Sequence, residues 1–354
     1  MFHKAISPQA PAVLVTGGAG YIGSHAVLAL LESGYRVVVL DNLATGFAWA
    51  VAEDAVFVEG DIADRDLVTG LIAEHGIVAI MHFAGSVVVP DSVVRPLAYY
   101  DNNTAKSRTL IESAVAGGVS HFIFSSTAAT YGIPARVPVR ETAPTRPINP
   151  YGWSKLMTEQ MLADTAAAHP LNVGILRYFN VAGADPLGRT GQSTAGATHL
   201  IKVAVEAATG KRDHVAIYGT DFVTPDGTGV RDYIHVSDLA AAHVRALERL
   251  IAEPAENLLL NCGYGRGYSV REVLDSVDRV ANCRIERRLA QRRAGDPPAL
   301  VANNRRILAT LDWRPDRDDL DTIVADALAW ERRLAEGTPP AARASSPEPQ
   351  VSSR

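Results

Sequence analysis

Tyr151 and Lys155 stand four residues apart in Tyr151-Gly-Trp-Ser-Lys155, and a phenol one helical turn from an ammonium is a candidate base for an alcohol. On a helix the two side chains share a face, where the positive charge favours ionisation of the phenol. A phenol of pKa about 10 has to fall by roughly 3 units, about 4 kcal/mol, to act as a base near neutrality. Two unit charges about 4 Å apart at an effective dielectric near 20 interact by roughly that amount. Ser125 and Thr127, in Ser125-Ser-Thr127, add hydroxyls, and Thr127 is placed to hold the alcohol that Tyr151 deprotonates. Hydroxyls at a strand end also serve as helix caps, and Tyr-x-x-x-Lys also occurs on solvated helix faces.

Upstream, Val13-Leu-Val-Thr-Gly17-Gly-Ala-Gly20-Tyr-Ile-Gly23 passes from β-rich to helical residues through three glycines. Backbone amides at such a helix start can receive a pyrophosphate, although a glycine turn alone also suits a tight bend that binds nothing. Asp41 follows about 20 residues later, where a carboxylate accepts hydrogen bonds from an adenosine ribose and repels a 2′-phosphate. NAD is therefore expected in preference to NADP. Asp41-Asn42 would otherwise cap a turn.

These residues fall at the ends of β-rich runs separated by helical stretches. The runs are 13–16, 37–40, 56–59, 78–82, 122–125 and 173–177, with helical composition over 25–31, 67–75, 97–116 and 155–168. Alternation of this kind predicts βαβ units in a doubly wound, Rossmann-type parallel sheet whose ligands gather at the carboxyl ends of its strands. Asp61-Ile62 and His82-Phe83-Ala84-Gly85 close the third and fourth runs, placed to touch the adenine and the nicotinamide-side ribose. After Asn180 the alternation gives way to loop-rich sequence, which predicts a second, smaller α/β substrate domain. The expected divisions are an N-terminal extension over 1–11, a dinucleotide domain over 12–180, a substrate domain over 181–336 and a disordered tail over 337–354. The helical stretch 236–251 and the apolar run 258–260 are candidates to return to the first sheet.

With 354 residues, 47% of them apolar, the chain can bury a large core. Its net charge of −5, without basic clusters interleaved with aromatics, leaves no footprint for nucleic acid. Cys262 and Cys283 are too few for a zinc framework or disulfide scaffold, and no metal site is expected. A cytoplasmic protein without a membrane partner is expected, since the sequence has neither a signal-peptide core nor a spanning apolar run.

The stretches VTGGAGYIGSH, LDNL, VEGDI, HFAG, YYDNN, FSSTAATYG, NPYGWSKLMTEQ, LRYFN, DGTGVRDYIHVSDLA and RRAGD occur in this order. Over nearly all of residues 12–335 the chain resembles the extended short-chain dehydrogenase/reductases, and among them the UDP-sugar 4-epimerases. The resemblance implies Tyr151, Lys155 and Thr127 as catalytic residues. It implies that NAD is held by Gly17, Gly20, Tyr21, Ile22, Gly23, Asp41, Asn42, Asp61, Ile62, Phe83, Ala84, Gly85, Asn103, Ser125, Tyr151, Lys155 and Phe179. For the UDP-sugar it implies Thr127, Tyr151, Asn180, His199, Leu200, Tyr218, Arg231, Tyr233, Arg293, Asp296 and Leu300. Arginines suit a diphosphate because guanidinium is a planar fork of donors, though Arg231 and Arg293 could equally form surface ion pairs. The implied reaction oxidises carbon 4 of a hexose, turns the ketone over in the site and reduces it on the other face. UDP-glucose and UDP-galactose are the implied substrates, and a homodimer the implied assembly.

Some positions depart from the family pattern. Thr127 stands for a common serine and keeps the hydroxyl, Val87 stands for a lysine near the nicotinamide, and His199 for an asparagine near the nucleotide. Leu300, intermediate in bulk, is expected to disfavour N-acetylated sugars. UDP-glucuronate, UDP-pentose and UDP-N-acetylhexosamine epimerases remain alternatives, as does a 4,6-dehydratase. Dehydratases carry a carboxylate pair after the active-site threonine, where this chain has Ala128-Ala129. An NAD-sensing regulator without catalysis is the rival of another class; it would have no use for Tyr151 and Lys155.

Overall fold

The computed structural model describes residues 6–254, 256–293 and 296–337. Most of the expected tail (338–354) and the first five residues of the expected extension lie outside these. In chain order the strands are β1 (Ala12–Thr16), β2 (Arg36–Asp41), β3 (Val56–Glu59), β4 (Ile77–His82), β5 (His121–Thr127), β6 (Asn172–Tyr178), β7 (Asn180–Ala182), β8 (Val215–Tyr218), β9 (Val230–His235), β10 (Leu258–Cys262), β11 (Gly267–Ser269), β12 (Arg287–Ala290) and β13 (Ala299–Leu300). The helices are α1 (Tyr21–Glu32), α2 (Arg65–His75), α3 (Val89–Val94), α4 (Pro96–Tyr99), α5 (Lys106–Ala116), α6 (Pro150–Ala168), α7 (Leu200–Ala208), α8 (Val236–Ala252), α9 (Val270–Ala281), α10 (Arg305–Thr310) and α11 (Leu320–Ala335).

Seven strands form one sheet in the order β10-β6-β5-β4-β1-β2-β3, every pair parallel. Successive side chains of a strand point to opposite faces, and both faces here are apolar. Val13, Val15, Val37 and Val39 pack with Val27 and Leu30 of α1 and Leu239, Leu247 and Leu250 of α8. Leu14, Val38, Leu40, Ile80, Phe122 and Phe124 pack on the other face with Leu71 of α2, Leu110 of α5 and Leu162 of α6. A sheet covered on both sides explains why its strands read as unbroken apolar runs. From the later chain, α8 packs beside α1 against β5 and β6, and β10 pairs with β6 in register from Leu258 with Gly174.

Two helices differ from their sequence-based bounds in ways that matter for the site. Helix α6 starts at Pro150, with the Asn149 side chain accepting from the Gly152 amide at 2.8 Å, so Tyr151 lies in its first turn. The expected single helix over 97–116 is instead α4, a widened π-type turn over Tyr100–Ala105, and α5. Such turns interrupt α-helices mostly where a function needs the displaced backbone.

The remaining elements build a smaller unit. Strands β7, β11 and β13 all pair with β9, and β8 pairs with β12. Ile201, Val205, Ile217, Tyr233, Val273, Val277, Ile323 and Val324 form its core. Asp232, fully buried, joins it to the large sheet by accepting from the backbone amides of Tyr264 (3.0 Å), Gly265 (2.9 Å) and Ala302 (3.1 Å). Its neighbours Arg231 and Tyr233 are thereby held at a fixed height beside the end of β13.

Candidate active site

β1 and β4 lie side by side with Thr16 opposite His82, so the chain segments leaving their carboxyl ends meet at the reversal of strand order. Gly17 has φ +73°, and a Cβ there would lie 2.6 Å from the Ala84 nitrogen. A Cβ at Gly23 would lie 2.1 Å from the Gly17 carbonyl oxygen, so glycine is required at both. The start of α1 has no capping side chain and no acidic residue in its first turn. Its amides and positive dipole end are therefore available to an anion. Asp41 accepts from the Ala19 amide at 3.0 Å and the Leu43 amide at 2.8 Å. It thus caps the turn, as its alternative reading had it, and lines the cleft as well. Burial pushes its pKa up, against these two bonds. At Asp61 burial acts the same way, but Lys106, 2.6 Å away, outweighs it and holds the carboxyl below its ordinary value.

Thr127 ends β5 opposite Tyr178 at the end of β6, and α6 lays Tyr151 against both. The Thr127 side chain accepts from the Ala129 amide at 3.1 Å and hydrogen bonds to Tyr151. Lys155, buried beneath, donates to the Ser125 carbonyl at 3.1 Å and lies 4.8 Å from the centre of the Phe124 ring. Burial pulls Lys155 down to about 8, against the charge of Glu159 one turn on. The sequence-based energetics need correction here: burial, then Tyr178 and Tyr99, push Tyr151 up, against the Thr127 bond, and Lys155 is not among the groups that set its acidity. The ammonium is engaged by the sheet end and not by the phenol, because α6 turns it toward β5.

One cleft of ≈ 1720 Å³ runs from the glycine turn to Arg231 and Arg293. Every expected ligand-binding residue lines it except Lys155, Asn103 and Ser125. Those three lie just behind its wall: a Cβ at Gly85 would fall 3.1 Å from Asn103 Oδ1 and 3.5 Å from Lys155 Nζ. Phe179 and Leu300 pack with Ala128 and Tyr131 on the near side. On the far side Arg231 donates to the Val230 carbonyl at 2.9 Å, and Arg293 stacks 3.8 Å from the centre of the Tyr218 ring. Among the described residues neither arginine has a carboxylate within salt-bridge distance, unlike Arg292 beside them, which pairs with Asp221. Burial lowers Arg231 against the charges of Tyr233 and Asp296, the cost of burying a cation. His199 opens α7 and receives the Gln192 amide at Nδ1, 2.7 Å away.

The model of the NAD dependent epimerase/dehydratase family matches residues 13–263. The chain belongs to that family. It is 57% identical to a UDP-glucose 4-epimerase of Azospirillum brasilense over 92% of this chain and 93% of that one. Among solved structures it is similar to UDP-glucose 4-epimerase from Brucella ovis in complex with NAD (TM-score 0.87, 45% identity, covering 90% of this chain and 98% of that one). A second, from Stenotrophomonas maltophila with bound NAD and formylated UDP-arabinopyranose, has TM-score 0.89 at 39% identity over 93% and 100% of the two chains.

Sequence reasoning missed three residues that line this cleft. Tyr178 lines the cleft beside Tyr151 and accepts from Ser125 Oγ at 3.2 Å; its place at the end of β6 was the available signal. Tyr99, buried with its hydroxyl on the Val88 carbonyl at 2.7 Å, and Gln192, which holds His199, carry no local signal. They meet the site only through tertiary packing.

Lys155 also yields a stability prediction. Its folded value of about 8 lies below the ordinary lysine value of 10.5. Between those values the unfolded chain binds more protons, so its contribution to stability rises with pH from about 8 to about 10.5 and is unfavourable below. Lys155→Met is therefore expected to unfold at pH 7 no earlier than the wild type in a thermal melt, while losing turnover. A melt several degrees lower would show that the buried charge supports the fold.

Proposed function

We infer that this chain is an NAD-dependent UDP-glucose 4-epimerase, an isomerase that interconverts UDP-glucose and UDP-galactose. The observation that carries the reading is the meeting of Tyr151 and Thr127, backed by Lys155, midway along a cleft whose two ends suit a dinucleotide and a sugar diphosphate. The uncapped start of α1, the glycine surface and the Asp41 carboxylate suit NAD.

When bound, NAD supplies reversible uptake of hydride at carbon 4 of the hexose. Tyr151 takes the proton of the hydroxyl at carbon 4 and returns it, while Thr127 holds that oxygen in line. Lys155, a buried cation held by the Ser125 carbonyl behind the wall, sets positive charge beside the Gly85 side of the cleft, where it would steady the nicotinamide-side ribose of NAD. Arg231 and Arg293 grip the diphosphate, so the sugar can turn without the nucleotide leaving. Ala128 and Ala129 line the cleft after Thr127 and offer no carboxylate for chemistry at carbons 5 and 6, which favours epimerisation over dehydration. Strands β1–β6 with α8 and β10 hold NAD in this reading, and the smaller unit holds UDP-sugar. The cytoplasm is the proposed compartment; no helix among the described residues is long and apolar enough to cross a membrane. A homodimer is the proposed assembly, since Trp153 and Met157 on α6 and Leu97 on α4 expose apolar surface that a second copy would cover.

Purified protein incubated with UDP-galactose and no added NAD is expected to give UDP-glucose by anomeric NMR. Tyr151→Phe is expected to lose about a hundredfold or more of this turnover at unchanged NAD content; full activity of the variant would remove Tyr151 from the chemistry. UDP-N-acetylgalactosamine is expected to be a poor substrate, and Leu300→Ala to improve its kcat/KM relative to UDP-galactose by about tenfold. An unchanged ratio would mean that Leu300 does not gate the acyl group. Sedimentation at micromolar concentration is expected to report a dimer, and a monomer would refute that assembly.

A further inference from the structure

Behind the cleft wall runs a chain of hydrogen bonds that the chemistry above does not use. Thr16 Oγ1 lies 2.7 Å from His82 Nδ1, His82 Nε2 lies 2.8 Å from Ser107 Oγ, and Ser107 Oγ donates to the Asn103 carbonyl at 2.7 Å. All four residues are fully buried. The direction of the chain follows from its far end. A carbonyl only accepts, so the Ser107 proton is committed to Asn103 and Ser107 must receive from His82 Nε2. Nδ1 then accepts from the Thr16 hydroxyl, and the ring is neutral with its proton on Nε2. Burial, followed by the charge of Lys155, pushes His82 down to about 3, which keeps it neutral.

Asn103 sits in the widened turn Tyr100–Ala105, where displaced carbonyls need donors from outside the regular ladder. Its carbonyl takes the Ser107 hydroxyl and, at 3.0 Å, that of Thr158 on α6. Its side chain accepts from the Ser86 amide at 2.7 Å, and donates to the Ser86 carbonyl at 2.9 Å and Ser154 Oγ at 3.1 Å. Ser86 follows Gly85 on the cleft wall, and Ser154 in turn donates to the Tyr151 carbonyl at 2.8 Å. One amide therefore ties the nicotinamide-side loop to the helix that carries Tyr151 and Lys155.

We propose that His82 is a positioning residue for the epimerisation: its Nε2–H, acting through Ser107, holds the Asn103 carbonyl and so aims the amide that sets the Gly85–Ser86 loop against α6. The proposal rests on the function inferred above. His82 touches neither substrate nor cofactor in this role. It acts by the polarity of the chain, and its imidazole spans a distance that only a side chain of matching reach can replace.

The test uses full-length Ser107→Ala, His82→Asn and His82→Gln, with kcat and KM for UDP-galactose, NAD content and thermal melts measured together. Ser107→Ala and His82→Asn, which can bond Thr16 but not reach Ser107, are expected to lose about tenfold to a hundredfold in kcat with KM within about twofold. His82→Gln, whose amide nitrogen reaches Ser107, is expected to recover kcat to within about threefold of wild type. A merely structural role would lower the melts of Asn and Gln variants alike without this split. Wild-type kcat in Ser107→Ala, or equal impairment of the two His82 variants, overturns the proposal. If the His82 variants do not fold, Ser107→Ala decides alone. A wild-type protein inactive on UDP-galactose overturns the inferred function instead.

Discussion

A lysine ammonium buried behind the cleft wall is the constraint around which the rest of this protein is arranged. Lys155 donates a hydrogen bond to the Ser125 carbonyl and lies near the Phe124 ring, two partners that supply only partial negative charge. An ion so placed is expensive to bury and is tolerated where function needs it. Its surroundings are correspondingly neutral or paired. His82 stays uncharged, and Glu159, one turn along α6, is bound to Arg177 on β6 and accepts from Ser126. That buried pair anchors α6 to the sheet while adding no net charge beside Lys155.

The same trade recurs at the other end of the cleft. Arg231 lies largely buried, near Asp296 but, among the described residues, without a carboxylate at salt-bridge distance, and Arg293 rests on Tyr218, while Arg292 is satisfied by Asp221. In the proposed reading a diphosphate would bring Arg231 and Arg293 the negative charge that Arg292 already has. Asp232 performs the opposite service, since its charge is met entirely by backbone amides and what it supplies is placement.

Much of this was legible in the chain itself. The six runs predicted as strands are all strands of the large sheet, each extended by at most a few residues, because apolar runs between glycine and polar punctuation leave little choice. The glycine turn, Asp41, Thr127, Tyr151 and the arginines stand in the order the cleft uses them. Less legible were the start of α6 at Pro150 and the break of 97–116 into α4, a widened turn and α5. Both depend on partners distant in sequence. Asn103 needs Ser86 and Thr158 to make a displaced carbonyl and a buried amide acceptable.

Residue type and local order alone determined the parallel sheet and the kind of cofactor, and singled out Tyr151 as the candidate proton-transferring group, since backbone sterics and side-chain chemistry act within a few residues of each other. Only tertiary structure decided where Lys155 points, that Tyr178 and Tyr99 stand beside the phenol, and that α8 and β10 come back to complete the first sheet. These are outcomes of burial. The free energy of an ionisable or apolar side chain depends on what surrounds it, and for this chain the surroundings come from segments that meet only when the sheet is closed on both faces.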